Sequence, residues 1–259
     1  MTGIDWILVP SHDFETTVAF FENTMGFAIE AQGRPTHDHQ YARYVTFRTA
    51  NGVVLEVVEP TGVCEALYTH PLVCISVPDL NACRTALEAE GTEFLTDTIE
   101  TNTGAAWAYF RTPEGTPTQI CADPNAPQTK PVSKHGEGVA FILAPSNQFD
   151  DTVGFFKRHL HLNLTVEGVP VTDKRFSRYA LFGAANGVEL EVVEPTKAHA
   201  EQFTHPVVSI TVPDLVAMTR HLRANGITLL SDIVDTGEGW GWVYFMLPGA
   251  SMFQLGGPC

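Results

Sequence analysis

The stretch that decides the fold is NGVVLEVVEPT at residues 51–61, because it returns almost unchanged as NGVELEVVEPT at residues 186–196. The same offset of 135 positions places Pro10 on Pro145 and Thr69 on Thr204. No gap is needed, and about two positions in five are identical over roughly 118 aligned pairs. The sequence therefore predicts two tandem copies of one domain.

The predicted boundaries follow from the repeat and from composition. The first copy covers residues 1–123, a linker covers 124–137, and the second copy covers 138–259. The linker is polar and contains Pro124, Pro127 and Pro131, as is typical of a connection between domains.

Each copy is predicted to contain a shorter unit twice. In the first unit, apolar patterning predicts a strand at 5–9, a helix at 14–25 and two strands at 41–48 and 53–59. The last two form a hairpin, because Asn51-Gly52 is a strong turn signal. The second unit repeats this order, with a strand at 72–77, a helix from the capping Asp79 to Glu90, and strands at 106–111 and 118–121. We assign each unit the order βαβββ, four times in the chain, although these patterns locate three of the four strands in each unit.

Bulk composition limits the function classes. With 259 residues, 44% hydrophobic and 17% charged, the chain is predicted to be globular. The net charge of -15 argues against nucleic acid or an anionic membrane as partner. No apolar run reaches the roughly 18 residues of a membrane span, and the N-terminus lacks the pattern of a signal peptide. The five cysteines include no CxxC pair and are interpreted as reduced thiols. We therefore expect a cytoplasmic protein.

The four βαβββ units resemble the vicinal oxygen chelate superfamily, which includes glyoxalase I, extradiol dioxygenases and the bleomycin-resistance proteins. The resemblance rests on Phe20-Phe21 before Gly26-Phe27, on Val77-Pro78-Asp79, and on Pro113-Glu114-Gly115. It implies an α+β fold of two tandem glyoxalase/bleomycin-resistance-like domains with curved mixed sheets. A resemblance in fold does not by itself assign a reaction.

The resemblance also implies where a divalent metal would bind in each domain. The ligand positions lie in the first and last strands of each unit, and here they carry Trp6, Glu56, Leu72 and Gln119 in the first copy and Phe141, Glu191, Val207 and Gln254 in the second. Apolar side chains cannot ligate a metal, so each copy retains one carboxylate and one amide. We therefore expect neither metal nor other cofactor.

Two histidines leave a displaced metal site open. His70 and His205 each lie two residues before an expected ligand position and so share its strand face. A site made of Glu56, His70 and Gln119 is the alternative, whereas a position at the solvent-exposed rim is the simpler interpretation. His37 and His39 have no counterpart in the second copy and are interpreted as loop residues.

Glu56 and Glu191 require a structural or a functional explanation, since a carboxylate among valines is costly unless it is paired. Arg43 and Arg178, on the neighbouring strands, are the structural partners that the sequence offers. The functional interpretation is a carboxylate that lines a binding cleft or acts as a base with a raised pKa.

Aromatic residues dominate the rest of the predicted cleft. They are Trp6, Trp107, Tyr109, Phe141, Trp240, Trp242 and Tyr244. Rings at these positions favour an organic ligand held by stacking and burial. They are also ordinary strand formers, so packing within the sheet is the alternative.

Two classes of function remain open. The first is a metal-free protein that binds a small organic molecule through these aromatic residues, the two glutamates, Arg43, Arg178, His70, His205, Gln119 and Gln254. The second is an enzyme, either a glyoxalase-like lyase or isomerase with displaced ligands or a metal-free enzyme that uses Glu56 or Glu191. The missing ligands favour the first class and make a dioxygenase less plausible. A homodimer is left open.

Overall fold

The computed structural model describes residues 3–65, 67–124, 138–160 and 162–259. Most of the predicted linker, residues 125–137, lies outside the described residues. The first copy contains β1 (Gly3–Pro10), α1 (Phe14–Ala19), β2 (Ile29–Gly33), β3 (Tyr41–Arg48), β4 (Val54–Pro60), β5 (Leu72–Ser76), α2 (Leu80–Ala89), β6 (Ile99–Glu100), β7 (Ala106–Arg111) and β8 (Pro117–Ala122). The second copy contains β9 (Gly138–Pro145), α3 (Phe149–Arg158), β10 (Asn163–Gly168), β11 (Phe176–Gly183), β12 (Glu189–Pro195), β13 (Val207–Thr211), α4 (Leu215–Ala224), β14 (Val234–Asp235), β15 (Trp240–Met246) and β16 (Met252–Pro258).

The predicted βαβββ order is confirmed in all four units. The helix expected at 14–25 is α1 followed by one wider π-helical turn at Phe20–Thr24. It ends where Gly26 takes a φ of 72°, a backbone conformation that glycine adopts without strain. Strands β2 and β6 carried no clear sequence signal, because β2 is largely exposed and β6 has only two residues.

Each copy forms one curved, mixed sheet of eight strands, which confirms the α+β fold class. The order in the first sheet is β2-β3-β4-β1-β5-β8-β7-β6, and the second sheet repeats it. Strand β1 is parallel to β4 and antiparallel to β5, so the two units of one copy join through their first strands. The concave face of each sheet is therefore assembled from both units.

The two copies share one apolar core on the convex faces of their sheets. Phe20, which follows α1, lies 5.8 Å from Phe245 of the second sheet, measured between ring centroids. In the reciprocal contact, Phe155 of α3 lies 5.9 Å from Phe110 of the first sheet. The first helical segment of each copy thus packs against the sheet of the other copy. No helix in the described ranges is long and apolar enough to cross a membrane.

The hairpin turns that reveal the repeat also join the two copies. The Asn51 side-chain amide donates to the backbone carbonyl of Val139 at 2.9 Å. Asn186 in turn donates to the carbonyl of Ile4 at 2.8 Å and accepts from the Ile4 amide at 3.2 Å. These buried bonds satisfy backbone groups at the start of each opposite first strand.

Candidate ligand-binding cavity

The concave face of the first sheet encloses a cavity of about 650 Å³. Strands from both units line it, together with the loop between β2 and β3. The lining side chains that carry chemistry include Trp6, Asp38, Tyr41, Glu56, Cys74, Trp107, Gln119 and Cys121. The charged side chains of Glu30, Arg34, Arg48 and Asp123 also line the cavity. Its size lies within the range of roughly 300–1,000 Å³ that small-molecule sites occupy.

Glu56 lies in this cavity with 7% of its surface exposed. The indole Nε1 of Trp6 donates to its Oε2 at 2.7 Å, and the hydroxyl of Tyr41 donates to its Oε1 at 3.4 Å. The parallel register pairs Leu8 with Glu56, which puts Trp6, two residues earlier on β1, on the same face. Burial raises the pKa of Glu56 to about 7, opposed by the Trp6 bond and reinforced by the charge of Asp38.

Asp38 is a second buried carboxylate of the cavity, and sequence reasoning missed it. It is 1% exposed and its Oδ2 accepts from Trp107 Nε1 and from the Tyr109 hydroxyl, both at 2.8 Å. A signal for it does exist: an aspartate and a tyrosine 71 positions apart occur in both copies, as Asp38 with Tyr109 and as Asp173 with Tyr244.

The second copy has a different arrangement around its carboxylates. Asp173 forms an ion pair with Arg175, whose Nε lies 2.7 Å from Oδ1, whereas the matching position in the first copy is Gln40. Phe141 and Phe176 stand where Trp6 and Tyr41 donate to Glu56, and neither can donate.

Two further differences follow in the second copy. Burial raises the pKa of Glu191 to about 8, with added repulsion from Asp173 and Glu189. The indole nitrogen of Trp242, which matches Trp107, is buried without a hydrogen-bond partner among the described residues. The two concave faces therefore differ in charge and in available donors.

The expected pairing of Arg43 with Glu56 is wrong, as is that of Arg178 with Glu191. Arg43 pairs with Glu59 at 2.7 Å and with Glu15, and its guanidinium lies 4.2 Å above the ring of Phe14. Arg178 pairs in the same way with Glu194 and Asp150.

The sheet register explains this difference. Thr46 lies opposite Glu56, and Arg43, three residues before Thr46, points to the other face of the sheet. The two arginines therefore lie on the helix-covered faces and outside the cavity.

His70 and His205 meet each other between the two copies. Their rings are stacked with centroids 3.1 Å apart and planes within 4°. The Nδ1 of each ring is hydrogen-bonded to the preceding threonine hydroxyl at 2.6 Å. Burial and the neighbouring ring lower the pKa of His70 to about 4. His70 is not among the residues that line the cavity with Glu56 and Gln119, so the displaced metal site is not assembled.

Of the remaining predicted site residues, some line the cavity and others lie elsewhere in the two sheets or in a loop. Gln119 lines the cavity, and Gln254 lies at the matching, buried position of the second sheet. Trp240 is at the start of β15, opposite Pro258. Of the two loop histidines, His37 is exposed at the cavity rim and His39 is exposed outside the lining.

A comparison with protein-family models agrees with this architecture. Residues 3–120 match the model of the Glyoxalase/Bleomycin resistance protein/Dioxygenase superfamily. The match covers the first copy, and the second copy repeats its strand order. No curated protein matches the sequence.

Solved structures share the fold of this chain over nearly its whole length. A triple mutant of 4-hydroxymandelate synthase from Streptomyces coelicolor is 14% identical with a TM-score of 0.69, over 99% of this chain and 92% of that one. The Mn(II)-bound glyoxalase from Novosphingobium aromaticivorans is 14% identical with a TM-score of 0.66, over 98% and 81%. The 2,3-dioxygenase LapB from Pseudomonas sp. KL28 is 15% identical with a TM-score of 0.67, over 100% and 94%. Likeness at this level shows a common fold.

A metal such as the Mn(II) named for the Novosphingobium glyoxalase does not fit the residues of this cavity. Leu72 is buried in the apolar cluster behind the cavity, and one oxygen of Glu56 accepts from the indole of Trp6, which offers no lone pair to a metal. Within the described ranges, no group of three His, Cys, Asp or Glu side chains could hold a metal ion. One carboxylate and one amide are too few ligands for a divalent first-row metal.

Proposed function

We propose that this chain is a small-molecule-binding protein whose site is the cavity of the first copy and which needs no metal. The observation that carries the proposal is a cavity of about 650 Å³ that contains two buried carboxylates, Glu56 and Asp38. Each accepts hydrogen bonds from an indole and a phenol, and neither forms an ion pair in the described part of the chain.

The lining indicates the chemistry of the ligand. Trp6, Tyr41 and Trp107 present aromatic surface, which favours a flat or apolar molecule. The two carboxylates favour a hydrogen-bond donor or a cationic group, and a ring beside a cation adds further attraction. Arg48, which also lines the cavity, is paired with Glu30 at 2.8 Å and therefore does not neutralise the carboxylates. We propose an aromatic molecule that carries an amine or another donor.

The first copy is the better candidate because neither of its two buried carboxylates forms an ion pair among the described residues. In the second copy, Arg175 neutralises Asp173 and its guanidinium lies 4.4 Å from the centroid of the Tyr244 ring. In the first copy the matching residue is Gln40, which carries no charge. We therefore expect one ligand per chain.

Calorimetric titration with a panel of aromatic amines and matched aromatic acids tests this proposal. Trp6→Ala should weaken binding of the amines about tenfold or more, because it removes one stacking surface and its buried area. Trp6→Phe reproduces the residue of the second copy and should lose less, which separates stacking from the hydrogen bond to Glu56.

The matched control is Phe141→Ala in the second copy, which should leave the affinity unchanged. Equal effects of Trp6→Ala and Phe141→Ala, or equal affinity for acids and amines, would contradict the proposed site.

A metal-free enzyme is the second candidate, favoured by the pKa of about 7 at Glu56. A carboxylate with this pKa exists in both forms near neutral pH, as a general base requires. Glu56→Gln would then abolish turnover of a bound compound while its dissociation constant changes little. The cytoplasmic location, the homodimer and the exclusion of nucleic acid and membranes stay predictions.

A further inference from the structure

Two cysteines in the cavity wall lie close together although they are 47 positions apart in sequence. The Sγ atoms of Cys74 on β5 and Cys121 on β8 are 2.7 Å apart. The strands are parallel neighbours, with Cys74 opposite Gln119, so Cys121 lies one step further along the same face. Cys74 is 2% exposed, whereas Cys121 is partly exposed and both line the cavity.

The second copy shows independently that the backbone brings these two positions together. The matching residues are Ser209 and Gly256. A Cβ built on Gly256 would lie 3.4 Å from the Ser209 hydroxyl. A side chain at one of these two positions is therefore in contact with a side chain at the other. Both copies therefore share the backbone arrangement, but only the first copy has cysteines at the two positions.

We propose that Cys74 and Cys121 form a redox-active dithiol site that reacts with a hydroperoxide and closes reversibly to a disulfide. The sulfur of Cys121 attacks one oxygen of the peroxide and the O–O bond breaks. Cys121 becomes a sulfenic acid, and the rest of the peroxide is released as water or an alcohol. The sulfur of Cys74 then attacks the Cys121 sulfur, and its proton leaves with the hydroxyl group as a second water. Two thiols are oxidised and one peroxide is reduced, so the step balances.

The surroundings assign the two roles. Cys121 is the residue that a peroxide in the cavity can reach, and the Ser76 hydroxyl lies 3.6 Å from its sulfur. Ser76 in turn donates to Asp5 at 2.7 Å. Burial raises the pKa of Cys74 well above its usual value, which keeps this residue a thiol until a sulfenic acid forms beside it. The inference does not depend on the ligand proposed for the cavity.

The test treats the reduced full-length chain, carrying Cys259→Ser to prevent cross-linking through the exposed cysteine, with hydrogen peroxide. Peptide mass spectrometry should find Cys74 linked to Cys121, and dithiothreitol should restore both thiols. Cys74→Ser should leave Cys121 as a sulfenic acid that dimedone labels, whereas Cys121→Ser should leave Cys74 unreacted. Cys83→Ser, on helix α2 and outside the cavity lining, is the control and should not change the linked peptide.

Three outcomes would overturn the proposal. The first is a folded, peroxide-treated chain in which both thiols remain free. The second is dimedone labelling of Cys74 in the Cys121→Ser variant, together with no labelling of Cys121 in the Cys74→Ser variant. The third is over-oxidation of Cys121 to a sulfinic acid while Cys74 is present and reduced, which would show that the neighbouring thiol does not resolve the intermediate.

Discussion

As the pH rises from about 5 to about 8, the protein should lose stability, and Glu56→Gln should make this loss smaller. The pKa of Glu56 is raised from 4.5 to about 7 in the folded chain. Between these two values the folded state binds more protons than the unfolded state. Stability therefore falls as the pH rises through this window, and glutamine, which does not titrate, is exempt from this loss.

The size of the effect follows from the shift. One pKa unit corresponds to about 1.4 kcal/mol, so the shift from 4.5 to about 7 gives an upper value of roughly 3 kcal/mol above neutral pH. Glutamine also fits the site. Its carbonyl can accept from Trp6, and its amide can donate to the Tyr41 hydroxyl, which is able to accept. The substitution should thus flatten the pH dependence while keeping a contact with both Trp6 and Tyr41.

Urea denaturation of both proteins at several pH values between about 5 and 8 measures the difference, because midpoint shifts report changes in stability. Glu59→Gln is the matched control: it is on the same strand but faces Arg43, which lowers the pKa of Glu59. This control should keep the wild-type loss of stability across the window. If Glu56→Gln loses stability with pH as steeply as the wild type, Glu56 is not a buried group with a raised pKa and the argument fails.

Three further predictions follow from the other contacts. Asn51→Ala should lower stability by about 1–3 kcal/mol, because it leaves the buried Val139 carbonyl without its donor; no change in the urea midpoint would contradict this. His70→Phe should make the protein less sensitive to acid. The pKa of His70 is about 4 in the folded chain and near 6.5 in the unfolded chain, so His70 makes the folded protein less stable as the pH falls below 6.5. An unchanged midpoint of acid denaturation would contradict the stacked pair. Elemental analysis of the purified chain should find no stoichiometric zinc, nickel, iron or manganese, and a metal that is lost in Glu56→Gln would reverse the ranking of the two function classes.

The sequence alone determined the repeat, the succession of strand, helix and hairpin in each unit, and the strand that carries Glu56. These features depend on local chemistry: alternation along a strand, a helix cap at Asp79 and the Asn51-Gly52 turn each act within a few residues. Glu56 could be named as a site residue because a carboxylate between valines conflicts with the apolar pattern around it. The family resemblance placed Trp6 at a ligand position, and Trp107 was one of the aromatic residues expected in the cleft; both line the cavity.

Tertiary structure decided which of these side chains meet. Asp38 lies in a loop without periodicity, and only the curvature of the sheet brings it to Tyr109, 71 positions later. The pairing of Arg43 depends on the register of β3 against β4, where a slip of one residue reverses every face.

The contacts of His70 with His205, and of Cys74 with Cys121, join distant positions in the same way. A sequence pattern reports the face on which a residue lies, whereas contact between distant residues depends on register, strand order and the packing of one copy on the other.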